Sequence, residues 1–169
     1  MGKPSQPDVK ICDVEGFPWV PGCKRAVAFL KDPQDKFVNG LDVFSEIDQD
    51  IKRGLNTGIQ QWIQFRNAPK RHHGWDQNEH GGAFTKCYVF KHTGKKARMY
   101  GYLVHPKKDH RAILCVLIHY DTKTEDEADV TMLGKLNGAG NKVSVQEAVD
   151  VYWNGQLAKE DFHDQKKKQ

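Results

Sequence analysis

The most regular feature of the chain is a stripe of apolar residues, Phe44, Ile47, Ile51, Leu55, Ile59 and Ile63, recurring every three or four positions with Trp62 beside it. That period predicts an amphipathic helix over residues 42–65, N-capped by Asp42, with its stripe packed into a core. Gly54 and Gly58 interrupt it. Glycine costs about 1 kcal/mol relative to alanine inside a helix, so these are the expected points for a break into two antiparallel pieces. Elsewhere the pattern shortens to strand-like runs. Cys23–Leu30 is the first, ended by Asp32-Pro33. Three more follow in close order, Ala83–Lys91, Ala97–His105 and Ala112–Asp121, with short connectors at 92–95 and 106–110. Connectors of that length predict an antiparallel meander. Ser144 and Glu147 then form a capping box for a closing helix through Val145, Val149, Tyr152 and Trp153.

These elements predict an α+β fold in the order strand, helical hairpin, three-stranded antiparallel meander, C-terminal helix. Residues 1–22 hold four of the seven prolines and show no period, so they read as an irregular N-terminal arm. Residues 125–143, acidic and then glycine-rich with weak helical character, read as an insertion before the last helix. Residues 159–169 read as a frayed, basic C-terminal tail. The span 23–158 is expected to be a single domain, since a chain of 169 residues is too short to divide comfortably. No apolar run approaches the roughly 18 residues that cross a bilayer. The polar opening MGKPSQPDVK lacks the pattern of a signal peptide, so a cytoplasmic protein without membrane partners is expected.

Composition narrows the chemistry. With 38% hydrophobic and 28% charged residues, the chain has enough apolar content to fold. Cys12, Cys23, Cys87 and Cys115 form no CxxC pair, and the last two sit in apolar runs where a thiol behaves as a small hydrophobe. His72, His73 and His80 crowd one loop but lack HExxH spacing, so no metal and no cofactor is expected. P-loop, GxGxxG and GxSxG motifs are absent.

Charge adds the most. The formal net charge is +4, yet residues 66–123 carry twelve Lys and Arg against four carboxylates. A basic centre between acidic flanks suits a localised polyanion site. Alternation along 97–105 puts Arg98, Tyr100, Tyr102 and Val104 on one face, opposite Met99, Leu103 and His105. Arg and Lys neutralise phosphates and Tyr can stack on unpaired bases, so RNA is the expected ligand. Lys86, Lys91, Lys95, Lys96, Lys107 and Lys108 are the candidate RNA-binding lysines. The plainer reading has the tyrosines packed against a helix with hydroxyls at the rim. His119, at the end of the third run, can serve as a general acid or base, or as a structural strand residue.

The helix LDVFSEIDQDIKRGLNTGIQQWIQF, the hairpin VFKHTGKKARMYGYLV, the strand ILCVLIHYDTK and the closing VQEAVDVY together resemble the RelE/HigB-type superfamily of toxin endoribonucleases over about residues 23–155. The resemblance implies metal-independent cleavage of mRNA by attack of a 2′-hydroxyl on the adjacent phosphate, often on the ribosome, with a cognate antitoxin as protein partner. It implies that Arg98 stabilises the phosphorane, that Lys91 and Lys96 hold flanking phosphates, that His119 and Lys123 match the histidine and lysine ending the third strand, and that Tyr100 or Tyr102 orients the nucleophile or stacks on a base. Asp121, where the family usually has an aromatic, the single lysine at 123, the insertion and the arm all depart from the family pattern. These departures admit the alternative of a non-catalytic nucleic-acid-binding or regulatory interaction protein on the same fold.

Overall fold

Two runs, Ala26–Leu30 and Leu114–Ile118, are apolar at every position. Such continuous runs belong to strands covered on both faces, and a computed structural model of the protein places them side by side in the interior of a sheet. The structure describes residues 9–19, 22–122 and 130–167. Its elements are β1 (Lys10–Asp13), β2 (Arg25–Lys31), α1 (Gly40–Glu46), α2 (Gln49–Ile63), β3 (His72–Gly74), a 3₁₀ turn (His80–Gly82), β4 (Cys87–Lys91), β5 (Ala97–Val104), β6 (Ile113–Thr122), α3 (Val130–Gly140) and α4 (Val143–Lys167). The fold is mixed α+β. One six-stranded sheet runs in the order β1-β2-β6-β5-β4-β3. The β2–β6 pair is parallel and the other pairs are antiparallel.

Helices cover both faces. On one, Phe44, Leu55, Ile59 and Trp62 meet Val27, Phe29, Phe90, Met99, Cys115 and Leu117. On the other, Leu133, Leu136, Val145 and Val149 meet Ala28, Leu30, Tyr100, Tyr102 and Val116, with Trp19, Trp75 and Phe84. Burial raises the Cys87 thiol to about 12, so it packs as an apolar group. None of the helices among the described residues is long and apolar enough to cross a membrane.

The meander and the flanking helices follow the expected order, with several local differences. The helix breaks at Ile47, before the glycines: the Asp48 carboxylate accepts from Asp50 N–H at 2.8 Å and starts α2. Gly54 and Gly58 stay inside α2 because a β-carbon there would lie 2.3 Å from the His92 ring and 2.9 Å from the Arg71 carbonyl. Asp42 does not cap α1, whose N-cap is Asn39. The Asn39 side chain instead reaches across the fold, accepting from Tyr120 N–H at 2.8 Å. Residues 10–13, expected in an irregular arm, pair with β2. Residues 83–86 form a turn, so the strand starts at Cys87. The glycine-rich segment before the last helix holds α3, and α4 continues helical to Lys167 where a frayed tail was expected.

Candidate nucleic-acid interface

The β4–β5 turn, His92-Thr-Gly-Lys-Lys, carries the basic residues that the sequence concentrates there, and its shape depends on His92. The His92 Nδ1 accepts from the backbone N–H of Gly94 at 3.0 Å and of Lys95 at 2.9 Å. Since Nδ1 accepts twice, the proton of a neutral ring resides on Nε2, which faces Asp50 of α2 at 3.4 Å. Asp50 also pairs with Lys95 at 3.3 Å. Lys95 first, then His92 and Arg53, hold the Asp50 carboxyl below its ordinary value. The turn is thereby fixed to the start of α2, and a depression of about 330 Å³ opens beside it. Lys70, Lys91, Lys95, Lys96 and Arg98 line it. Lys91, Lys96 and Arg98 each make contacts of their own.

Next to this depression the ladder aligns two rows of side chains on the face toward α3. Lys91, Arg98 and Asp121 form one row, and His73, Val89, Tyr100 and His119 form the next. The second row depends on an irregularity. Pairing shifts by one between Tyr100 and Gly101, which leaves Ile118 as an extra residue in β6. A bulge of this kind re-aims the residues beyond it. It brings His119 and Asp121 onto the face of Arg98 and sends Tyr120 to the opposite side with Met99. His119 stacks on Phe37 at 4.1 Å between ring centroids, and its Nδ1 donates to the Phe37 carbonyl at 2.7 Å. A neutral His119 therefore keeps its lone pair on Nε2. Burial raises the Tyr100 phenol above its ordinary value, the neighbouring Arg98 guanidinium opposes that rise, and Asp121 adds to it.

The proposed set is thus divided. Arg98, Tyr100 and His119 are neighbours, and Lys91, Lys95 and Lys96 lie beside them, joined by Lys70 from the loop after α2. Lys86 and Lys107 sit at the far end of β5, roughly 23 Å away by strand rise, in a second depression with His105, His110 and Lys142. Lys108 is exposed in the adjoining turn. The six lysines therefore do not form one surface. Lys123 lies outside the described residues.

The tyrosines need correction. Tyr100 is 0% and Tyr102 4% exposed, so neither has a ring face open to a base. Tyr102 lies against Gly140 of α3, where a β-carbon would stand 2.2 Å from its ring. They pack against a helix, as the plainer reading had it, but the Tyr100 hydroxyl is buried and not at the rim. Arg98, expected on an open polar face, is itself 8% exposed.

The loop histidines are engaged separately. The His72 Nε2 donates to the Arg66 carbonyl at 2.8 Å and its Nδ1 accepts from the Tyr88 hydroxyl at 2.6 Å. His73 bonds the Gly74 carbonyl at 3.1 Å and packs edge-on to Trp75. Among the described residues there is no group of three or more His, Cys, Asp or Glu able to hold a metal ion.

Fold and site together define a mixed α+β protein with a basic depression at one end of its sheet. No family model, no curated protein and no solved structure matches the chain.

Proposed function

We propose that this protein binds RNA at the β4–β5 depression and cleaves it without a metal, the activity of a toxin endoribonuclease restrained by an antitoxin. One observation carries the reading: five cations line one concavity beside a row that holds a histidine with a defined tautomer. Lysines there neutralise phosphates flanking the scissile bond. The 2′-hydroxyl attacks phosphorus as it loses its proton to a base, and the bond to the 5′-oxygen breaks as that oxygen gains a proton. The products are a 2′,3′-cyclic phosphate and a 5′-hydroxyl. The His119 Nε2 is suited to one of these transfers, and Arg98 to the charge on the five-coordinate phosphorus.

The test is single-turnover cleavage of a defined mRNA fragment, with and without ribosomes. Losing one preorganised donor costs about 10²–10³ in rate, so Arg98→Lys and His119→Asn are expected to fall by that order while still binding RNA. Equal rates in wild type and both variants would refute the cleavage mechanism. A second reading, a non-catalytic RNA-binding module, is favoured by the burial of both sheet tyrosines. It becomes the better one if wild type binds RNA and never cleaves it.

A further inference from the structure

Unpaired bases bind by stacking on exposed aromatic rings, and the sheet tyrosines are buried, so the ring must come from elsewhere. The C-terminus of α2 supplies one. Phe65 follows the C-cap Gln64 at φ 61°, a left-handed conformation that among described non-glycine residues only His80 shares. Phe65 N–H donates to the Trp62 carbonyl at 3.0 Å and Arg66 N–H to the Gln61 carbonyl at 2.8 Å. That pair of bonds is a Schellman cap, whose left-handed position normally belongs to glycine. A bulky aromatic is strained there, and backbone strain gathers at functional sites. Burial does not offset the strain, because Phe65 is 58% exposed. What holds the ring is Arg25. Its guanidinium lies 4.0 Å from the Phe65 centroid and 5.1 Å from that of Trp62, and its Nη1 donates to the Trp62 carbonyl at 3.0 Å.

From Phe65 the chain returns through the exposed Arg66 to the exposed Lys70, which lines the basic depression. Five residues span at most about 17 Å, a reach of a few nucleotides of extended strand. Arg71 ties this loop to the sheet, its carbonyl accepting from Lys91 N–H at 2.7 Å. We infer that Phe65, backed by Arg25, is a stacking platform for an unpaired base of single-stranded RNA whose backbone passes Arg66 and Lys70 into the depression. This rests on the RNA reading and adds a substrate class: single-stranded rather than duplex.

The experiment is fluorescence anisotropy with a labelled single-stranded RNA octamer and a duplex of equal length, across a salt series. One lost base–aromatic stack lowers affinity about 5- to 150-fold, so Phe65→Ala is expected to weaken single-strand binding by that factor. Phe65→Trp should restore it. The salt slope should stay unchanged, because no phosphate contact is lost, and duplex binding should not move. Phe65→Gly, which suits the left-handed backbone, should lose affinity while melting no lower than wild type. If Phe65→Ala binds as wild type while Lys70→Ala and Lys96→Ala bind weakly, the platform is refuted and the RNA reading stands. If Phe65→Ala weakens duplex equally, or if every substitution at 65 melts well below wild type, the ring is structural and the inference falls. If wild type binds no RNA at all, both readings fall.

Discussion

Replacing Gly54 by alanine tests whether the basic turn is held in place from α2. Helix propensity alone makes Gly54→Ala stabilising by about 1 kcal/mol. Packing opposes that. The new β-carbon would stand 2.3 Å from His92 Cδ2, 2.9 Å from Nε2 and 3.0 Å from Cγ. The ring is not free to swing aside, because its Nδ1 accepts two backbone N–H groups and its Nε2 faces Asp50. Overpacking of this kind costs about 1–3 kcal/mol. Expelling the ring instead forfeits two hydrogen bonds at about 0.5–1.5 kcal/mol each. Set against the gain in propensity, either route leaves a net loss of up to about 2 kcal/mol. The turn that presents Lys95 and Lys96 loses its shape at the same time. Urea denaturation gives the stability, and RNA titration of the folded fraction gives the functional effect. A variant more stable than wild type with unchanged RNA affinity would show that the docking of His92 on α2 does not shape the site.

In the helical stripe, Leu55→Ala is expected to cost about 2–5 kcal/mol because Leu55 is 0% exposed, and half-buried Ile51→Ala clearly less; equal losses would contradict this packing. The pH dependence follows from His72, whose pKa burial lowers below the ordinary 6.5, Arg25 adding to the shift. The unfolded chain then binds the proton more readily, so stability is complete above about pH 6.5 and declines as the pH falls below it. His72→Gln should flatten that slope without removing it, since His73 is shifted in the same sense; an identical slope in denaturant midpoint would refute the assignment. Wild-type cleavage should survive EDTA, and loss restored by zinc or manganese would refute the metal-independent mechanism. RNA affinity should fall with salt, log against log, at about −0.7 per contacted phosphate; a flat response would favour a protein partner.

Much of this was legible in the sequence because single patterns sufficed. The three-and-four spacing of α2 and the short connectors of the meander read directly as elements, and the turn HTGKK read as a basic sheet end. What was hidden depends on distant partners. Lys-Ile-Cys-Asp becomes β1 through its pairing with β2. In the glycine-rich segment read as an insertion, Gly140 serves close packing, lying against the Tyr102 ring. Arg98 and Tyr100 were found by alternation, but the burial of Tyr100 was not, because α3, which shares its core cluster, comes from the segment read as an insertion. The bulge at Ile118 left no trace in a run apolar on both faces, yet it decides which way His119 points. Lys70 sits in an aperiodic loop, where only the fold could assign it to the site.

The parallel pairing of β2 with β6 joins Arg25 to Ile113, 88 residues apart. Parallel contacts at such separation are slow to form, since the intervening loop must close before they give any return in stability. On a ribosome adding 5–20 residues per second, β2 waits roughly 4–18 s before its central partner has even been synthesised. Meanwhile the segment Ala-Val-Ala-Phe-Leu, destined for burial on both faces, has only the four residues of β1 to pair with. An apolar strand with an unpaired edge is a template for association between chains. Synthesis of this protein therefore has a window in which a strand destined for burial on both faces is exposed and adhesive, and slower elongation between residues 31 and 113 would lengthen that window and lower the yield of folded chain.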